Sequence, residues 1–328
     1  MRRRRVNQMQ QLAWLGVFAA LSIGSGFAQT AFPTRTVKVI VPFPGGGIND
    51  VLARIVGDRL QAKWGQPVVI ENKVGAAGNI GTTAAYQSEP DGYTLLLSPP
   101  GPLAINQSLY KQLSYKPQEF VPLTVVGAVP NVVIVRKELP VNSLKQLIDY
   151  VKANPGKVSV GSQGSGGTPH LTAMMFQRMT DTHMVHVPYR GETLVLNDMV
   201  GGHVDVFFGN IAGVRALFRE GRVKVVAVAD TQRAPAMPEV PTTAEAGLPG
   251  LVSTAWFAFA GPPRMAPALQ SEIANAAIAV IGAPDVQEKF RAASVEPIGN
   301  SPAEAAVFIT QEAQRWGEVI RANNIVVD

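Results

Sequence analysis

Residues 37–72 read VKVIVPFPGGGINDVLARIVGDRLQAKWGQPVVIEN, and their pattern decides the fold class. VKVIVPF is a β-branched run, PGGGIND a turn, and VLARIVGDRLQAKW places Leu52, Ile55, Val56 and Leu60 on one helical face. PVVIEN then returns as a second strand, so the unit is strand, turn, helix, strand, the repeat of parallel α/β folds. Working outward, the loop KVGAAG leads to a helix beginning near Asn79 and to the strand YTLLLS. TVVGAVP and NVVIVRK, separated by Pro130, read as a passage from a first sheet into a second. The helix SLKQLIDYVKANPG follows, with Ser143 as N-cap and Pro155-Gly156 as its stop. GSQGSGGTPH then opens the helix LTAMMFQRMTD, and HMVHVPYRG, TLVLNDMVG, VDVFFGN, VRALFREG and VKVVAVAD alternate strand and helix to complete this half. After the proline-rich segment 233–250, the strand TAWFAFAGPP is assigned back to the first domain, and three helical stretches finish the chain, the last with a Ser301…Glu304 capping box. We therefore expect domain 1 to be discontinuous, 29–129 plus 250–328, with domain 2 at 130–249.

The first 28 residues are read as a cleaved secretory signal. Four arginines precede an apolar run of about 13 residues, too short for the ~20 of a membrane span, and Gly26 and Ala28 suit a cleavage site. We expect a freely diffusing protein of an exported compartment, not itself membrane-embedded. Those four arginines also supply four of the five net positive charges, leaving 25 Lys+Arg against 24 Asp+Glu. With no basic, aromatic-interleaved cluster elsewhere, nucleic acid is not an expected partner. The absence of cysteine removes disulfides, thiolate nucleophiles and zinc–thiolate sites.

Three glycine loops remain as candidate sites. In VPFPGGGIND, the amides of Gly45, Gly46, Gly47 and Ile48 sit where a strand gives way to a helix, a place that suits an anion; a tight turn capped by Asn49 or Asp50 accounts for the same residues. A dinucleotide fingerprint fails, because Asp50 stands where its third glycine belongs, although Glu71 ends the second strand as a ribose-binding acid would. GAAGNIG (75–81) matches no phosphate motif. In GSQGSGGTPH, Ser162, Ser165 and Thr168 offer hydroxyls, but neither serine lies in Gly-x-Ser-x-Gly, and His170, a conceivable general base with no paired acid, reads more readily as a capping or packing residue. His183 and His186 lie three apart on a strand and face opposite sides, so they do not share a metal. No metal site, cofactor or catalytic residue is expected. Arg190 suits a carboxylate or solvent alike, and Asp205 a ligand contact or a structural bond.

Taken in order, PFPGGGINDVLARIVGDRLQAKWGQPVVIENKVGAAGNIG, DGYTLLL, GSQGSGGTPHL, VPYRG, GGHVDVFF and the Trp256 strand resemble the Bug family of periplasmic solute-binding proteins, receptors of tripartite tricarboxylate transporters. The resemblance covers the mature chain. It implies an α/β, two-domain periplasmic-binding-protein (Venus-flytrap) architecture, each domain a mostly parallel sheet flanked by helices, with the ligand cleft between them. It also implies a monomer that captures a small carboxylate (di- or tricarboxylate, aromatic or amino-acid) through loop amides and bridging waters, closes by a hinge, and delivers it to membrane transporter subunits. Carried onto this sequence, the ligand-binding positions are Phe43, Gly46, Gly47, Asp50, Asn79, Ser98, Ser162, Gly166, Thr168, His170, Tyr189, Arg190, Gly191 and Asp205. Gly45, Ile48-Asn49, Glu192-Thr193 and the proline-rich SPPGPLAINQ depart from the family pattern, and Glu192 adds a carboxylate near the cleft. A receptor signalling to a membrane kinase and an exported enzyme acting on a small acid are the competing readings.

Overall fold

Strand β4 (Val121–Arg136) runs through the middle of the molecule and belongs to two sheets in succession. Up to Pro130 it pairs antiparallel with β9 (Thr254–Gly261), and from Asn131 it pairs with β7 (Val206–Asn210) and with β8 (Val223–Val228). The computed structural model describes residues 32–322, 324 and 325, so residues 1–28, read above as a secretory signal, lie outside the described residues. Arg35–Asp328 form one compact unit.

The first sheet has the order β2-β1-β3-β9-β4. Its parallel wing consists of β1 (Val37–Val41), β2 (Val68–Asn72) and β3 (Thr94–Ser98), and β10 (Glu296–Pro297) pairs on β4. The second continues from β4 through β7 to β5 (Ser159–Ser162) and β6 (Val185–Pro188), again with a parallel wing. Each parallel step is made by a crossover helix, the connection such pairs require. In the first half these are α1 (Ile48–Trp64) and α2 (Asn79–Tyr86), followed by the short α3 (Asn106–Leu109). The second half carries α4 (Leu144–Ala153), α5 (Thr168–Thr180), α6 (Glu192–Val200) and α7 (Ile211–Arg219). The chain ends with α8 (Pro267–Ile281), α9 (Pro284–Ala292) and α10 (Pro302–Ala322).

Local chemistry explains several boundaries. The Ser143 hydroxyl accepts the Gln146 N–H at 3.2 Å and starts α4, while Ser301 and Glu304 exchange hydrogen bonds at 2.8 and 3.3 Å at the head of α10. Helices α1, α5 and α7 each begin three residues before their apolar periodicity does. α5 already includes Thr168 and Pro169, and a proline in the first turn loses no hydrogen bond there.

Each half has its own core. Ile40, Leu96, Val125, Trp256 and Ala258 close the first, and Val133, Val160, Phe176 and Phe208 the second. A smaller cluster of Ile105, Leu109, Leu171, Trp316 and Ile320 joins α5 of the second half to α3 and α10 of the first. Behind the strand exchange, Asn131 donates to Ser253 Oγ at 2.9 Å and to Thr172 Oγ1 at 3.1 Å, a buried polar knot where the chain passes between sheets.

Candidate functional site

Strands β1, β3, β5, β6 and β7 all direct their carboxyl ends to one place, the position where open α/β sheets bind ligands. The loops leaving them enclose a narrow inner pocket of about 50 Å³ that adjoins an outer groove of about 710 Å³. Both have Phe43, Asn49, Gln163 and Asn210 as walls, so they are the inner and outer parts of one cleft.

Helix ends dominate this cleft. The N-cap residues of α1, α5, α6 and α7 are Gly47, Gly167, Gly191 and Asn210, and all four lie on its wall. Three have no side chain to bond the first-turn amides, and the Asn210 side chain makes no such bond. Four positive helix ends thus point at one space. Arg190 adds a full charge: it lines the groove, is exposed, and makes no ion pair among the described residues. Carboxamides complete the wall. Asn49 Oδ1, Asn106 Oδ1, Gln163 Nε2 and Asn210 Oδ1 are buried without a hydrogen-bond partner, and all four residues line the inner pocket. Unmet buried polar atoms are costly, so these need a guest or water.

Of the positions carried over from the resemblance, the structure places Phe43, Gly46, Gly47, Thr168, Arg190 and Gly191 on the cleft wall. The Gly46 N–H is already committed to Asp50 Oδ2 at 2.9 Å. Asp50 itself faces inward and receives both Arg54 Nε and Nη2 at 2.9 Å; burial works to raise its carboxyl, but the hydrogen bonds from Arg54 and Gly46 outweigh it and hold the group below the usual range. Asn79 sits one step back, its Oδ1 accepting from Asn106 Nδ2 at 2.6 Å and Tyr115 OH at 2.8 Å. Ser98 is buried behind Pro99 and donates to its carbonyl. The Gly166 N–H goes to His170 Nδ1 at 3.1 Å, and Tyr189 OH goes to Asp198 at 2.6 Å. Asp205 is at the other end of β7 from Asn210, roughly 17 Å away at strand rise. There it accepts from Arg136 at 2.7 Å and from the Ser159 N–H at 2.8 Å. Its charge is spent on fastening β4 to β5, so it is removed from the cleft residues.

One pairing was not legible beforehand. Ser162 Oγ lies 2.7 Å from His186 Nε2, and His186 stacks on His170 with ring centroids 4.1 Å apart. Burial, then the neighbouring His186, pulls His170 down to about 4, so both imidazoles are packed neutral. Ser162 is fully buried and lines neither part of the cleft, which leaves this serine–histidine contact as packing between β5 and β6. Glu71, weighed for a ribose, is held by Lys38 at 2.8 Å and Lys73 at 3.1 Å.

The chain matches the family described as tripartite tricarboxylate transporter family receptor over residues 52–325. It belongs to that family. This receptor is 36% identical to protein BugT of Bordetella pertussis over 323 residues, 96% of this chain and 98% of that protein. An R. palustris structure solved with adipate superposes with a TM-score of 0.87 at 33% identity, covering 90% of this receptor and all of that chain. MatC from Rhodopseudomonas palustris, with bound malate, superposes with a TM-score of 0.83 at 30% identity, covering 88% of this receptor and all of that chain. The two-domain periplasmic-binding-protein architecture follows from these matches. The residues that the sequence reading missed, Asn106, Gln163 and Asn210, had one available signal: Asn210 stands between a strand and a helix, a capping position whose side chain was free for other use.

Proposed function

We propose that this chain is a periplasmic receptor that binds a small carboxylate without transforming it and delivers it to the membrane subunits of a transporter. The observation that carries this reading is the convergence of four helix N-termini, three of them with glycine N-caps, and the exposed Arg190 on one cleft walled by both sheets. That arrangement stabilises negative charge. The homologous receptors solved with adipate and malate support the same ligand class. In this reading the lobes are 29–129 plus 250–328 and 130–249, and they close as rigid bodies about Val129–Asn131 and Leu248–Thr254. A ligand favours closure only by binding the closed form better than the open one. The proposed contacts are Phe43, Gly47, Asn49, Gln163, Thr168, Arg190, Gly191 and Asn210, with waters bridging the remaining amides. Asp50, Asn79 and His170 act behind them by holding the loops. The receptor works as a monomer, exported by residues 1–28. Among the described residues no helix is long and apolar enough to cross a membrane.

The test is a thermal-shift screen of the mature chain against carboxylates and neutral sugars, with mass spectrometry of each hit. A carboxylate should raise Tm through mass action and be recovered unchanged. Recovery of a product would replace the receptor with an enzyme, and stabilisation by sugars alone would remove the anion argument.

A further inference from the structure

We infer that Glu192 selects the ligand class: a monocarboxylate whose other end carries a hydrogen-bond-donating nitrogen, as ammonium or carboxamide, in place of a second carboxylate. This rests on the carboxylate-receptor reading above.

Glu192 opens α6 and reaches across to the head of α7, where its Oε1 accepts the Asn210 N–H at 3.0 Å. The carboxyl lies on the bare Cα of Gly213; a Cβ there would stand 2.6 Å from Glu192 Cδ and Oε2. It therefore occupies the seat that the α7 helix end offers to an anion, and it lines the same groove as Arg190. Among the described residues no lysine or arginine pairs with it, and the hydrogen bond it accepts from Asn210 is to Oε1. Above about pH 7, where Glu192 is ionised, a second ligand carboxylate entering this part of the groove would be opposed by its negative charge, which no lysine or arginine neutralises among the described residues.

The inner pocket asks for the same chemistry. Asn106 is 1% exposed, and its Nδ2 is held by Asn79 Oδ1 at 2.6 Å and the Ala77 carbonyl at 3.4 Å. A carboxamide can otherwise turn to present either end. Here those two acceptors fix the orientation, so Asn106 presents Oδ1, an orphaned acceptor, to the pocket. Asn210, 5% exposed, sits between the two parts with its own oxygen unpartnered. Three unpartnered carboxamide oxygens, of Asn49, Asn106 and Asn210, against one unpartnered nitrogen, of Gln163, favour a guest that brings N–H groups, while the open amides of α1 and α5, together with Arg190, remain for one carboxylate.

The experiment is isothermal titration calorimetry at pH 8 of the mature chain against matched sets: adipate, its monoamide and its ω-amino counterpart; succinate with its two counterparts; terephthalate with its monoamide. The nitrogen-bearing member of one set should bind at least about tenfold more tightly than its diacid, and Glu192→Gln should cut that ratio to about threefold or less. The wild-type ratio stands as a test even if the variant folds poorly. Equal or tighter binding of the diacid in the wild type, or an unchanged ratio in Glu192→Gln, overturns the inference and leaves the carboxylate receptor intact. Binding by no member of any set overturns both.

Discussion

Two carboxylates stand in the first turns of helices that open on the cleft, and they have opposite fates. Asp50 in α1 is clamped by the Arg54 guanidinium and the Gly46 amide, and is held below the ordinary carboxylate range. Glu192 in α6 has only the Asn210 N–H, and burial pushes it up to about 7. The difference lies in the neighbour four residues on. Asp50 has Arg54 one helical turn away, whereas Glu192 has Leu196. A paired carboxylate becomes part of the loop's frame; an unpaired one in the same kind of place stays chemically available to whatever enters.

The largest effect expected from this contrast is a pH dependence of stability. Glu192 is protonated in both folded and unfolded chains well below its ordinary value of 4.5, and ionised in both well above about 7. Between those limits the folded chain holds the extra proton, so stability falls as pH rises through the window. Glu192→Gln should remove that slope and leave the variant more stable than wild type at pH 8 by about 3 kcal/mol, read from denaturant midpoints at several pH values. Retention of the slope in the variant would assign it to another group. Next in size, Arg54→Ala strips Asp50 of its clamp and should cost about 2 kcal/mol in chemical unfolding near neutral pH, with part of the loss recovered by Asp50→Asn in the same chain. A cost no greater than that of an ordinary surface change would mean that the clamp contributes nothing.

Smaller still, Arg190→Ala should leave Tm unchanged without ligand, since the exposed side chain makes no hydrogen bond or ion pair among the described residues. It should weaken carboxylate binding about tenfold in calorimetry. Smallest of all, Gly213→Ala pushes the Glu192 carboxyl off its seat while improving helix propensity. Net stability should change by less than about 1 kcal/mol, with a shallower pH slope. A loss of several kcal/mol would show that the glutamate cannot swing away.

The fold was largely legible because burial leaves a periodic trace. Apart from Lys38 and Asp205, VKVIV, TLLLS and VDVFF are almost wholly buried and read as parallel strands, and the apolar stripe of α1 gives its helix. The first turns of α1, α5 and α7 left no such trace, since small and polar residues such as Asn49, Thr168, Ala212 and Gly213 line the cleft there instead of continuing an apolar stripe. For that reason Asn210 was read as the end of a strand when it is also a helix cap on the site wall. Within the glycine loops, sequence marked the right stretches but not which member faces the guest: Thr168 does, while His170 two positions later packs behind on His186.

What the sequence determined by itself was the alternation of strands and helices, the three glycine loops at strand ends, the family, and the lack of any complete catalytic motif. These are local properties, set by residue spacing within a dozen positions. Tertiary structure alone decided that Asp205 fastens β4 to β5 at the far end of its strand, that Ser162 meets His186, and that Asn106 turns an unanswered oxygen into the cleft. Each of those depends on which strand ends are brought together and on which partner satisfies a polar atom first. Both are settled only when segments tens of residues apart come into contact.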